Sequence, residues 1–345
     1  IKGCLKKVHI TNYEPGLCGY GYGSPATIKP YIPDERDDKA LEELAKHGIK
    51  IIKVHWGWED IYGKGTFVPR SEQGFRKFIQ MVHSHWMKLI VYVSCYYIEI
   101  GDRNYNPEWS KGVPRLRESF YDLDHACPGS PSWRAYFLSN LEKLFREYPI
   151  DGIYIDSGGG YLDCINPKTH IHAFKDTKTH WANLEDFMLQ IYGIVKRYNG
   201  IVVYFLNRDE KPEFHEKCYD YLLVGEGIRN LEESRERCKH YPPYVFHISA
   251  HYVSPREAMR NLYSNTIPYL QFPVLFSGRR KSEEEESADF FPFVKRRKED
   301  PGYRHPTKPS EEWLKNSELV AIEKAMWHHY FAIYRQVVKN DTIAY

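Results

Sequence analysis

Eight short strand-like runs recur along this chain, at residues 8–12, 49–56, 89–96, 152–156, 201–207, 221–226, 244–251 and 269–276. Helical patterns separate them, at residues 37–46, 71–87, 132–148, 183–198, 212–217, 231–239 and 255–264, with a long one over 311–338 after the last run. This alternation constrains the fold more than any other feature. Leu41, Leu44 and Ala45 repeat at the spacing of an apolar helix face, as do Phe75, Phe78, Ile79 and Val82. Strands alternating with helices build a parallel sheet, because parallel neighbours need a crossover between them. Eight such units predict an α/β fold, a closed (β/α)8 TIM barrel forming one domain over residues 1–345. Three connections are long: residues 98–131, 157–182 and 277–310. Each follows a strand and precedes a helix, so all three belong on the face where barrels keep their chemistry.

With 345 residues, 42% of them hydrophobic, the chain can bury one sizeable core. No run approaches the roughly 20 apolar residues of a membrane span. The 48 basic and 46 acidic residues leave a net charge of +2, which gives no field to attract nucleic acid. Charged stretches at 279–286 and 295–300 carry both signs and read as solvated surface. Seven cysteines (Cys4, Cys18, Cys95, Cys127, Cys164, Cys218, Cys238) are odd in number and include no Cys-x-x-Cys pair. That argues against a disulfide framework and against a thiolate zinc site. The chain opens at Ile1 without a signal-peptide pattern. A soluble protein is expected, cytoplasmic or secreted with its signal removed, and the sequence is compatible with a piece of a longer chain. It is also compatible with a homo-oligomer.

The chemistry concentrates in Asp151-Gly-Ile-Tyr-Ile-Asp-Ser-Gly-Gly-Gly160. Ile153, Tyr154 and Ile155 form a buried strand, which ends at the carboxylate of Asp156 and then at glycines that cannot continue it. A second carboxylate, Glu226, ends the sixth run and is followed by Gly227. Strands four and six are close neighbours around a barrel. Two carboxyl groups about 5–9 Å apart can flank one glycosidic bond, one donating a proton and the other attacking the anomeric carbon or activating water. Other strand ends carry residues suited to a sugar. Trp56, Trp58 and Asp60 follow the second run, and Tyr96 the third. Asn207 follows the fifth, Arg229 the sixth, His251 the seventh and Arg279 the eighth. Aromatic faces stack on sugar rings, and polar groups bind hydroxyls.

This pattern resembles the retaining α-glycosidase barrels of the α-galactosidase type, glycoside hydrolase families 27 and 36, and the related family 31. The resemblance implies an aspartate nucleophile at the end of strand four, matched by Asp156. It also implies an acid/base at the end of strand six, where Glu226 falls. The stretch Cys127-Pro-Gly-Ser-Pro-Ser-Trp133 also contributes, with Tyr136, Leu141, Leu144 and Tyr148 leading into Asp156. It is similar to uncharacterised glycosidase-like barrels of bacteria. Two departures stand out: Tyr154-Ile-Asp156 replaces the Lys-x-Asp of the α-galactosidase types, and Glu226 replaces their usual aspartate. The expected activity is an exo-acting, retaining α-glycosidase with a carbohydrate substrate and no metal or other cofactor. Two rivals are a non-catalytic carbohydrate-binding barrel and a metal-dependent barrel hydrolase. The latter would use His-x-His pairs such as His83/His85 or His170/His172, or the pair His247/His251.

Overall fold

The computed structural model describes residues 6–7, 16–20, 32–55, 58–59, 65–118, 121–156, 163–166, 172, 180–205, 218–224, 245–248, 266, 271–277, 328–336 and 343–344. Its parallel strands are β1 (Leu17–Tyr20), β2 (Ile51–Val54), β3 (Lys88–Ser94), β4 (Gly152–Asp156), β5 (Ile201–Phe205), β6 (Tyr221–Val224), β7 (Val245–Ile248) and β8 (Phe272–Ser277). From β1 to β6 each strand pairs with the next, giving a curled, six-stranded parallel sheet. The ladder continues through β7 to β8, and β8 pairs back onto β1. Four helices cross between the first five strands: α1 (Glu35–Lys46), α2 (Glu72–Ser84), α3 (Pro131–Glu147) and α4 (His180–Arg197). The expected run of residues 8–12 lies outside the described residues, and the first barrel strand is Leu17–Tyr20 instead. Its sequence hides among glycines 16, 19, 21 and 23 and reads as a turn. Gly16 is required because a Cβ there would stand 2.7 Å from the carbonyl of Gly48. Gly16 O accepts from Lys50 N and Ile51 N, which sets β2 beside β1.

Local chemistry starts the helices. Asp34 and Asp37 form a reciprocal capping box on α1, two residues earlier than the apolar spacing indicates. Asp37 is fully buried and also accepts from Tyr20 OH at 2.9 Å, so one carboxylate caps α1 and ties it to β1. Ser71 caps α2 through Gly74 N, and Ser130 caps α3 ahead of Pro131. The apolar face of α2, with Phe75, Phe78, Ile79 and Val82, is buried against the sheet. Each such side chain contributes about 1.5–3 kcal/mol on leaving water.

A repeated clamp holds the end of the sheet opposite the chemistry. Asp151 precedes β4, and its Oδ2 accepts from Leu89 N in β3 and from His83 Nε2 in α2, both at 2.8 Å. Asp220 precedes β6, and its Oδ2 accepts from Val202 N in β5 at 2.9 Å and from Lys196 Nζ in α4. In both cases one carboxylate holds the first turn of the preceding strand and the last turn of a helix. His85 pairs with Asp38 of α1 at 2.8 Å. His83 and His85 therefore bind separate carboxylates and do not form a shared metal site.

The stretch after β3 is more ordered than a loop. Tyr97–Glu99, Tyr121–His125 and Leu116–Glu118 form a three-stranded antiparallel sheet, with a 3-10 turn at Pro107–Trp109. Asp124 anchors it, accepting from Tyr105 OH at 2.6 Å and Ser110 Oγ at 3.0 Å.

Candidate active site at the strand ends

Register shows which residues share the inner face of the sheet. Tyr92 pairs with Tyr154, and Ser94 pairs with Asp156, which pairs with Phe205. Lys53 pairs with Ile90, two residues before Tyr92. In a parallel ladder, paired residues point the same way and the direction repeats every second residue. Tyr20 and Tyr204 have the opposite parity, and Tyr20 meets α1, so the first set faces inward. The inner face near the strand ends therefore carries Lys53, His55, Tyr92, Ser94, Tyr154, Asp156 and Phe205. Barrel interiors are usually filled by branched apolar side chains, so this concentration of polar groups on three adjacent strands marks a site.

Asp156 is half-buried at the tip of β4, and Tyr92 OH donates to its Oδ2 at 2.6 Å. Its carbonyl accepts from Cys95 N at 3.2 Å, joining the ends of β3 and β4. Lys53 Nζ is 3.9 Å from the centre of the Tyr154 ring, a cation–π contact away from bulk water. His55 meets the Tyr92 ring edge-on, with centroids 4.9 Å apart. His55 keeps exposed surface at the end of β2. Burial first, and then the charge of Lys53, hold its imidazole well below the usual histidine range. Cys95 is buried beside Asp156, and both influences push its thiol up, so it stays protonated and does not compete as a nucleophile.

Two expected sugar contacts are part of the scaffold instead. Trp58 is fully buried, stacks on Phe75 at 5.0 Å and donates its indole N–H to Tyr92 O at 2.8 Å. Tyr96 is 1% exposed, between Tyr97 and His125, with Lys111 Nζ 4.7 Å from its ring centre. Neither offers an open ring face. Trp56, Asp60, Asn207, Glu226, Arg229, His251 and Arg279 lie outside the described residues. Lys53, Tyr92 and Tyr154 were not among the expected site residues, whereas His55 opens the expected strand-end stretch His55-Trp-Gly-Trp-Glu-Asp60. The signal was available: in Ile51-Ile-Lys-Val-His55, the polar residues alternate with the apolar ones, and Tyr154 stands two before Asp156.

No family model matches the chain, and no curated protein matches it by sequence. Solved structures do match. A glycoside hydrolase family 36 α-galactosidase from Geobacillus stearothermophilus, in complex with 1-deoxygalactonojirimycin, superposes with a TM-score of 0.57 at 11% identity. The match covers 85% of this chain and 42% of that one, so the chain spans about two-fifths of the enzyme's length. A noncanonic maltogenic α-amylase from Thermotoga neapolitana matches at 0.54 and 14% identity over 93% of this chain and 78% of that one. An α-galactosidase from Thermus thermophilus matches at 0.50 and 12% identity, covering 85% and 62%. The likeness is one of fold. These neighbours are glycoside hydrolases, and the curled parallel sheet is consistent with their barrel domains.

Proposed function

We propose that this chain is a glycoside hydrolase domain built as a complete (β/α)8 barrel, with Asp156 as nucleophile and Glu226 as acid/base. The observation that carries the reading is Asp156 itself, a carboxylate at the tip of β4 within a polar inner face, in a fold that matches α-galactosidases. In the proposed reaction Asp156 attacks the anomeric carbon while Glu226 protonates the departing oxygen. Water, deprotonated by Glu226, then releases the sugar with retention. The Tyr92 phenol holds one oxygen of Asp156 and so fixes the plane of attack. Lys53 Nζ stands 3.9 Å from the centre of the Tyr154 ring, two residues before Asp156, on the same inner face. The substrate class is an α-linked glycoside cleaved from its end, and the long connections 98–131, 157–182 and 277–310 wall the pocket. Trp56, Asp60, Asn207, Arg229, His251 and Arg279 are proposed as hydroxyl and ring contacts.

Strand parity sets a condition on Glu226. Leu223 pairs with Phe205, which pairs with Asp156, so inward parity along β6 falls on Gly225. Glu226 reaches the mouth if the chain leaves strand geometry at Gly225, a turn that glycine permits.

The test is a panel of α- and β-configured aryl glycosides and oligosaccharides. Turnover by the native chain should fall at least ~1,000-fold in Asp156→Asn, the scale of losing an activated nucleophile. Glu226→Gln should spare aryl substrates whose leaving groups need no proton. Near-normal activity of Asp156→Asn on a proven substrate would overturn the assignment. No turnover by the native chain on any substrate, with sugar binding retained, would favour a carbohydrate-binding barrel.

A further inference from the structure

Three metal-ligating side chains from two separate connections, those after β3 and after β4, converge. Cys127 closes the excursion after β3, within Cys127-Pro-Gly-Ser-Pro-Ser-Trp133. It is buried, and its N–H donates to Trp109 O at 2.7 Å. Cys164 belongs to the connection after β4 and is equally buried. There Ile165 N donates to Lys111 O at 3.0 Å, and Cys164 Sγ lies 3.9 Å from the same carbonyl. His172, from the same connection, is half-buried and presses against Gly129, where a Cβ would lie 2.6 Å from its Cδ2. The two Sγ atoms and a ring nitrogen of His172 lie within 4.8 Å of one another.

We propose that Cys127, Cys164 and His172 bind a zinc ion, which fastens the connection after β4 to the excursion after β3. In a tetrahedral zinc site, ligand atoms are about 3.6–3.8 Å apart, as follows from Zn–S of about 2.3 Å and Zn–N of about 2.0–2.1 Å. Their mutual separation of at most 4.8 Å lies within about 1 Å of that spacing. Two thiols release their protons to solvent on binding, so two thiolates balance the 2+ charge, and the neutral imidazole donates a lone pair. Water takes the fourth position. Two thiolates and an imidazole favour zinc over magnesium or calcium, which prefer oxygen ligands. Charge balance matters here because Lys111 Nζ is buried nearby over the Tyr96 ring.

The surroundings are built to hold these ligands still. Arg134 binds the carbonyls of Pro128 and Asn183 and the carboxylate of Asp186, joining the Cys127 segment to α4. Trp133 donates to Cys95 O at 3.0 Å, and Cys95 N binds the carbonyl of Asp156. The Cys127 segment is thereby joined through Trp133 and Cys95 to the backbone of Asp156. The proposal stands apart from the glycosidase reading, since it concerns metal content and not turnover.

The experiment uses the full chain purified under reducing conditions without chelator. Elemental analysis after incubation with zinc should give one zinc per chain. Cobalt(II) in its place should give a thiolate-to-cobalt charge-transfer band and tetrahedral d–d absorption. Cys164→Ser should weaken or remove both signals. His172→Ala, at a half-buried position that leaves both thiols in place, should lower zinc affinity at least tenfold while the circular dichroism stays unchanged. Absence of the cobalt band in the folded native chain would overturn the proposal. So would thiol counting that finds Cys127 and Cys164 joined as a disulfide in the purified protein, or zinc bound equally well by His172→Ala.

Discussion

Trp58→Phe separates a scaffold tryptophan from a sugar-stacking one. The substitution removes the indole N–H that donates to Tyr92 O at 2.8 Å, a loss of about 1 kcal/mol for a neutral hydrogen bond. It also removes about 40 Å³ of buried side chain, which at ~24 cal/mol per Å³ of cavity costs another ~1 kcal/mol. The ring atoms lost from a fully buried position add about 1 kcal/mol of transfer free energy. The sum is about 3 kcal/mol. Unfolding entropy scales as about 2.1 cal/mol/K per residue, so for 345 residues this lowers the melting temperature by about 4 °C. Differential scanning calorimetry at matched pH measures the shift directly. Because Trp58 supports the backbone of Tyr92, whose phenol donates to Asp156, any effect on turnover should appear in kcat before KM. A melting temperature unchanged within 1 °C, together with weakened sugar binding, would refute the reasoning and return Trp58 to the pocket.

Gly152→Ala should destabilise by about 2–5 kcal/mol, because Gly152 has φ +153° and a Cβ there would stand 2.1 Å from Ile201 O; a calorimetric change below ~0.5 kcal/mol would contradict it. Asp220→Ala should cost about 2–3 kcal/mol, since Val202 N, Lys196 and Tyr192 lose their common acceptor; chemical denaturation that matches the native chain would show the clamp to be idle. The imidazole of His55 is held well below its usual range, so between that lowered value and about 6.5 the unfolded chain binds the extra proton and stability falls as pH falls. Urea melts from pH 7.5 to 5.5 should therefore decline more steeply for the native chain than for His55→Gln, and parallel curves would count against the burial argument. Tyr92→Phe should slow turnover by roughly 10- to 100-fold on a proven substrate, the scale of one hydrogen bond to a charged group, with unchanged activity excluding an orienting role for Tyr92.

Local rules carried the sequence reading a long way. The strand Gly152–Asp156 is read to the residue, because an uninterrupted β-branched and aromatic run ends at a carboxylate and glycines. The helical pattern expected from residue 71 begins within one residue of α2, whose cap is Ser71, since apolar spacing and capping are contacts between residues three or four apart. The order of strands and crossovers follows from periodicity, which is also local. Three kinds of fact required the tertiary structure. The first barrel strand was invisible because Gly16 and Gly19 look like turn residues until the close approach of Gly48 is known. Trp58 and Tyr96 read as pocket residues because an aromatic at a strand end looks the same whether the neighbouring chain covers it or not; α2, through Phe75, and the excursion sheet, through His125, decided that. The convergence of Cys127, Cys164 and His172 has no spacing signature, since Cys127 comes from a different connection than Cys164 and His172. The sequence by itself determined which residues start, fill and end each element, because those contacts span a few residues. Which side chains share a space was decided by the curl of the sheet and by the packing of its connections, whose contacts join residues dozens of positions apart.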